Sequence, residues 1–316
     1  MPDDTMFDVT DSLFAITGAG GALCGVMAGA LAARGARVAL LDIDENAAGE
    51  RAEAIRAAGG QAMSLRCNVL DSGEITAAAD EIAARWGVPD VLINGAGGNH
   101  PSGSTTEEFA TPELVRRDAG TAGDGEPDAG SQHDPAPVAA GNAGRHGGGP
   151  DPGRTTFFDL PISGFEHVFD LNFLGTVLPS RIIGRRMAER GSGSIINMSS
   201  MSALTPLTKV GAYSAAKSAV AGLTKWLAVH LAPVGIRVNA LAPGFFMTEQ
   251  LRFLHVDAET GELTDRAKSV IAHTPMRRYG EPDELIGPVI WLSTPASSFV
   301  TGVVLPIDGG FSSYSI

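Results

Sequence analysis

The sequence predicts an α/β fold: a single-domain, Rossmann-like, doubly wound parallel sheet of about seven strands with helices on both faces. Three observations predict it. Short β-branched or apolar runs alternate with Ala-rich helical stretches from the start of the chain, the pattern of strands joined by crossover helices. The first run leads into a glycine-rich turn, Thr17-Gly18-Ala19-Gly20-Gly21, that opens a helix. With 316 residues, 44% of them hydrophobic, the chain is long enough for one large domain (1–316) with a sizeable core.

Strands are expected near Leu13 to Thr17, Arg37 to Asp42, Ala62 to Cys67, Val91 to Asn94, Ser194 to Met198, Arg237 to Leu241 and Val303 to Ile307. The strongest helical stretches run around Ala47 to Ala57, Ile75 to Trp86, Phe165 to Glu189, Tyr213 to Ala232 and Asp283 to Leu292. One stretch breaks the alternation. Residues 112–154 are dominated by Gly, Pro, Ala and Asp with almost no large apolar side chains, too little to offset the entropy of ordering, and are read as a disordered insertion. It follows the fourth strand, whose carboxyl end faces the ligand crevice of such a sheet. It is either a lid or a tolerated surface insertion, since loops accept length at small cost. A small substrate-covering segment is expected at about residues 245–280.

The formal net charge of -13 argues against nucleic acid or an anionic membrane surface as the main partner. Charged residues or Gly and Pro interrupt every apolar run before it reaches the length of a membrane span. Cys24 and Cys67 are too few for a disulfide framework, and the opening Met-Pro-Asp-Asp-Thr has neither the basic start nor the apolar stretch of a signal peptide, so a cytoplasmic location is expected. The seven histidines show no zinc-type pairing, and no metal is expected.

Chemistry concentrates at Tyr213 and Lys217, which a helix places one turn apart on the same face. A free phenol has a pKa of about 10, and lowering it to about 7, where a general acid/base works best, takes about 4 kcal/mol. A neighbouring ammonium in a partly desolvated site supplies much of that. Of the three tyrosines, neither Tyr279 nor Tyr314 has a lysine four residues on. Upstream, Gly193-Ser-Ile-Ile-Asn-Met-Ser199-Ser200 reads as a strand ending thirteen residues before Tyr213, and Asn172 lies further back on a helical stretch.

In order and spacing, Asn172, Ser200, Tyr213 and Lys217 resemble the catalytic tetrad of the short-chain dehydrogenase/reductase family. The resemblance extends over almost the whole chain, through the turn at Thr17 to Ala22, Asn94-Gly95-Ala96-Gly97, Pro243-Gly244 with Thr248, and the tail Thr301-Gly302 to Asp308-Gly309-Gly310. It implies that Tyr213 exchanges the proton, that Lys217 lowers its pKa and binds the nicotinamide ribose, that Ser200 (with Ser199 the alternative) holds the substrate oxygen, and that Asn172 anchors a water. It also implies a nicotinamide dinucleotide held by Gly18, Gly20, Gly21, Leu23, Asp42, Asn68, Val69, Asn94, Ala96, Gly97, Tyr213, Lys217, Pro243, Gly244 and Thr248. The turn departs from the family where Ala22 and Cys24 replace the usual second and third glycines. Asp42 closes the second strand about two dozen residues after Gly18, where a carboxylate accepts from ribose hydroxyls and repels a 2'-phosphate. Ile43, Asp44 and Glu45 follow without a basic residue, so NAD is expected over NADP.

Asn99 and His100 follow the Asn94 turn, Lys209 lies between Ser200 and Tyr213, and Gln250 and Arg252 follow Thr248. These donors and cations fit a polyhydroxylated, anionic substrate. The stretches Asn94 to Pro101, Ser202 to Lys209 and Pro243 to Phe253 resemble the D-mannonate oxidoreductase (fructuronate reductase) branch, which implies D-fructuronate/D-mannonate interconversion in hexuronate catabolism, with Lys209 or Arg252 on the sugar carboxylate. The competing readings are a gluconate 5-dehydrogenase or related polyol dehydrogenase, a 3-oxoacyl carrier-protein reductase, and a catalytically silent NAD-binding regulator. Small and apolar residues on more than one face of the two long helices imply, by the same resemblance, a homodimer or homotetramer.

Overall fold

The computed structural model describes residues 4–118, 153–248, 255–256 and 260–315. Seven parallel strands form one sheet: β1 (Leu13–Thr17), β2 (Arg37–Asp42), β3 (Gln61–Arg66), β4 (Val91–Asn94), β5 (Gly193–Met198), β6 (Ile236–Pro243) and β7 (Val304–Ile307), ordered β3-β2-β1-β4-β5-β6-β7. The order reverses between β1 and β4, and the crevice outside the carboxyl ends of those strands is where such sheets bind ligands. Each strand lies within one or two residues of its expected position. All five residues of β1 are buried, as a strand covered on both faces requires.

Alternation along the strands sends successive side chains to opposite faces. Phe14, Ile16, Val38 and Leu40 pack under α1 (Ala22–Ala32) and α2 (Glu45–Ala57), joined by Leu285, Val289 and Leu292. Leu13, Ala15, Ala39 and Leu41 pack against Ile75, Ala78 and Ile82 of α3 (Ser72–Trp86) and against Ile183 and Met187 further along. Cys67 lies in this second layer.

Two expectations are corrected. The stretch from 112 to 154 is not irregular from its beginning: Pro112–Asp118 forms a helix, α4, with Leu114 buried. Proline opens it where the missing N–H costs nothing, and Leu114 N donates to Thr111 Oγ1 at 3.5 Å. Residues 119–152 lie outside the described residues. The long helix expected over Phe165 to Glu189 is in fact α5 (Ile162–Phe169), one wide π-type turn (Asp170–Leu174) and α6 (Gly175–Arg190). Pro179 has no N–H to offer the carbonyl four residues back, and in the preceding turn the ladder widens, Gly175 N donating to Asp170 O, without interrupting the helix.

The segment after β6 has a small core of its own, in which Ala267, Val270 and Tyr279 pack with Phe245, Met247, Leu263 and Ile271. Helix Asp265–His273 supplies part of it, and Met247 N donates to Gly280 O at 2.9 Å. Among the described residues no helix is long and apolar enough to cross a membrane.

Candidate active site

Backbone geometry shapes the turn between β1 and α1. Gly18 has φ +65°, and a Cβ there would lie 2.7 Å from the Ala96 backbone, so only glycine brings the two loops together. Gly21 N closes the turn on Gly18 O at 3.1 Å, and Gly21 caps α1 without a side-chain bond. The first N–H groups of α1 therefore have no side-chain cap and suit a pyrophosphate. Gly20 N donates to Asp42 Oδ2 at 2.8 Å, while Asp42 Oδ1 accepts from Asp44 N at 3.0 Å. Asp42 thus stands against the turn, and capping of α2 falls to Asp44, which accepts from Asn46 N and Ala47 N.

The altered position 24 has a structural partner. A Cβ on Gly95 would run into the Cys24 sulfur, so the thiol occupies space that glycine at 95 vacates. Burial pushes this thiol up to about 12 and that of Cys67 to about 11. Thr17 Oγ1 accepts from Gly95 N and Ala96 N at 3.0 and 3.2 Å, tying the β4 loop to β1.

The other residues expected at the dinucleotide have partners within the fold. The Asn94 side chain is buried in the sheet, donating to Ser180 Oγ and Asn197 Oδ1, both at 2.8 Å. Asn68 Oδ1 accepts from Leu70 N at 3.0 Å and closes a turn. Val69 is buried against Gly175, and Leu23 packs on the core. Pro243-Gly244 lies against Asp308, which a Cβ on Gly244 would meet at 2.6 Å, and Thr248 is buried nearby in sequence.

The four tetrad residues converge. Tyr213 and Lys217 lie on α7 (Gly211–Leu231), with the Lys217 Nζ 5.5 Å from the centroid of the Tyr213 ring. Lys217 is 4% exposed, and its Nζ donates to Met198 O at 2.8 Å. Asn172, in the π-type turn, donates through Nδ2 to Gly98 O at 2.7 Å and to Val168 O at 2.8 Å, and its Oδ1 accepts from Gly98 N at 3.1 Å. A Cβ on Gly97 would meet Asn172 Oδ1 at 2.6 Å and Lys217 Nζ at 3.0 Å, so the bare backbone of Gly97 is the meeting point of both. The Ser200 hydroxyl faces the Tyr213 phenol and favours its ionised form. Ser199 is spent elsewhere, donating to Lys217 O at 3.1 Å, which leaves Ser200 as the serine beside the tyrosine.

The electrostatics correct one expectation. Burial pushes the Tyr213 phenol above its ordinary value, and the Ser200 hydroxyl opposes this only in part. The ammonium sits over the ring and is itself pushed down to about 8 by burial. In the protein alone Lys217 does not bring Tyr213 into the neutral range.

On the expected substrate side, the turn Pro101–Gly103 packs on α5 and α7, since a Cβ on Gly103 would touch Val168 and Ala212. Asn99 Nδ2 donates to Ser104 Oγ at 2.7 Å, and His100 bonds Ser102 and packs on His167 with ring centroids 4.6 Å apart. Both side chains serve their own loop. Lys209 joins them through its carbonyl, which accepts from Thr105 N at 2.8 Å, and it holds φ +69°, unusual for a non-glycine residue. Gln250 and Arg252 lie outside the described residues. One residue escaped the sequence reading: Arg51 of α2, half-buried, donates through Nε to Gly20 O at 2.9 Å. Its signal was Gly25, an otherwise unexplained glycine inside α1.

A switch-point crevice holding a glycine turn, a carboxylate at the end of β2 and a Ser-Tyr-Lys-Asn cluster defines a class, the dinucleotide-type α/β oxidoreductases. Family comparisons narrow it. The model described as short chain dehydrogenase matches residues 13–117, and that described as Enoyl-(Acyl carrier protein) reductase matches residues 139–312. A solved Haemophilus influenzae protein, provisionally described as a D-mannonate oxidoreductase with bound NAD, is 41% identical, with TM-score 0.81 over 98% of this chain and 97% of that one. An uncharacterized oxidoreductase of Bacillus subtilis, UxuB, is 40% identical over 95% of this chain and 94% of its own. A gluconate 5-dehydrogenase of Burkholderia cenocepacia, solved with NADP and tartrate, is 27% identical, with TM-score 0.75 over 98% of each chain. The chain belongs to the short-chain dehydrogenase/reductase family and is an oxidoreductase of that family.

Proposed function

We propose that the protein is an NAD(H)-dependent oxidoreductase that interconverts a keto sugar acid and its hydroxy acid, with D-fructuronate and D-mannonate as the pair. The observation that carries the reading is the convergence of Tyr213 and Lys217, with the Lys217 Nζ 5.5 Å from the Tyr213 ring centroid and, with Asn172, against the bare backbone of Gly97. When bound, the dinucleotide supplies or accepts the hydride. The residues present fit such a group: the glycine turn leaves the start of α1 without a side-chain cap, and Gly97 leaves the floor beside Lys217 and Asn172 free of side chain.

In this reading Tyr213 donates its proton to the C5 oxygen during reduction and removes it during oxidation. Ser200 holds that oxygen. Lys217 holds the nicotinamide ribose, and Asn172 fixes the Gly98 loop through two hydrogen bonds to Gly98, with a third to Val168 O, while anchoring the water that returns the proton to solvent. Asp42 accepts from the ribose hydroxyls and repels a 2'-phosphate. Lys209 or Arg252 takes the sugar carboxylate, and the segment 245–280 covers the substrate. Exposed Trp226 and Val229 on α7 support assembly through that helix into a homo-oligomer, which light scattering of the purified chain measures.

The deciding experiment is NADH and NADPH oxidation with a panel of keto sugar acids, a 3-oxoacyl substrate included. D-Fructuronate with NADH should give the highest kcat/KM. A preference for NADPH would overturn the cofactor assignment, a better 5-keto-gluconate rate the sugar, and no turnover with any substrate the enzymatic reading.

A further inference from the structure

We propose that Arg51 is a positioning residue of the dinucleotide turn and that glycine at position 25 exists to admit it. The inference rests on the reading that this turn holds a dinucleotide. Glycine inside a helix costs up to about 1 kcal/mol relative to alanine, so Gly25 in the first turn of α1 calls for a reason. The reason is steric: a Cβ there would run into the Nε, Cζ and Cδ atoms of Arg51, whose guanidinium lies across the bare backbone of Gly25. From that notch Arg51 Nε reaches Gly20 O at 2.9 Å.

Gly20 is thereby fastened at both ends. Its N–H is held by Asp42 Oδ2 at 2.8 Å, from β2, and its carbonyl by the guanidinium, from α2. A Cβ on Gly20 would meet Ala47 Cβ at 2.8 Å and Asp42 Oδ2 at 3.0 Å, so the turn has no slack on that side either. The peptides on either side of Gly20 cannot rotate without breaking a hydrogen bond to a charged group. The next residue, Gly21, is tied back to Gly18 O and caps α1, and the N–H groups that follow from Ala22 onward are the ones a pyrophosphate would meet. Arg51 therefore acts through Gly20, by presetting the direction in which the turn offers its donors. Asp42 is committed to the same task, so one carboxylate fixes the turn and faces the ribose.

The test uses the full-length protein and three variants: Arg51→Met, Gly25→Ala, which displaces the guanidinium while leaving it in the chain, and the double variant. NADH affinity is read by fluorescence titration without any sugar acid, and kcat and KM for NADH are read separately. Loss of one charge-assisted hydrogen bond should weaken NADH binding roughly tenfold in either single variant, with kcat within about twofold. The double variant should bind no worse than the weaker single one, since both remove the same contact. NADH affinity within about twofold of the parent in Arg51→Met would overturn the proposal, and with a lowered Tm it would reduce Arg51 to a brace between helices. Multiplying losses in the double variant would overturn the link to Gly25. Should Gly25→Ala fail to fold, Arg51→Met decides alone. A parent that binds neither NADH nor NADPH would sink the dinucleotide reading itself, a result distinct from a parent and variant that bind alike.

Discussion

In the proposed reaction Tyr213 is the proton donor. Burial raises its pKa, so at neutral pH the phenol is protonated and suited to the reductive direction, while oxidation needs the phenolate. Reductive kcat/KM should stay level through neutral pH and fall only under alkaline conditions, and oxidative kcat/KM should climb with pH. An oxidative profile that declines between about pH 7 and about pH 9 would contradict the role of Tyr213. Tyr213→Phe should cost about 10²–10⁴-fold in kcat while NADH titration is unchanged. Lys217 carries a stability signature as well. Its folded pKa of about 8 lies below that of the unfolded chain, about 10.4. The unfolded state thus binds the proton more tightly, and the burial penalty, felt in full below about pH 8, vanishes as pH rises toward about 10. Against Lys217→Met, which has nothing to titrate there, the parent should gain unfolding free energy in urea between about pH 7 and about pH 10, by an amount on the order of 3 kcal/mol at most. A constant difference across that range would show that the buried amine does not titrate.

The elements owe their placement to a few side chains that bridge them. Asn94 joins β4 to β5 and α6, and Asn197 passes the chain on to Thr224 of α7 at 2.9 Å. Replacing Asn94 with alanine leaves buried Asn197 Oδ1 and Ser180 Oγ short of a donor and should cost about 1–3 kcal/mol in urea unfolding. Asp44→Ala removes the two-bond cap of α2 and should cost about 1 kcal/mol. Most strands were legible because they are short apolar runs bounded by turn residues, buried from end to end in β1 and β4. The helical stretch from Phe165 to Glu189 was legible through its apolar periodicity, which carries no sign of the π-type turn ahead of Pro179. The seven residues of α4 were hidden by their neighbours. Pro-Glu-Leu after Thr111 is a helix start, and the Gly-rich run beyond Asp118 swamped it. Of the site, the tetrad could be read because Tyr and Lys share one helix, while Arg51 could not, because its partner Gly20 comes from a different element.

At the scale of the whole molecule, the excursion after β4 begins and ends at one point. Thr106 N donates to Thr155 O at 3.1 Å, Thr155 N to Thr106 Oγ1 at 2.7 Å, and Arg154 forks onto both carboxylate oxygens of Glu107 at 2.7 Å. A stem closed in this way does not depend on what it carries. Replacing residues 119–152 with a short Gly-Ser linker should leave the Tm nearly unchanged. If the excursion only decorates the surface, kcat/KM also holds, and a drop in kcat/KM at constant Tm would assign it work over the crevice. The two thiols have a practical corollary. Both are buried and barely ionise at neutral pH, and only the thiolate attacks an electrophile. The native chain should therefore be a near-blank background for maleimide chemistry. A single cysteine introduced on the outer face of α7 would accept a fluorophore alone, turning the question of how copies meet there into a distance that energy transfer can read.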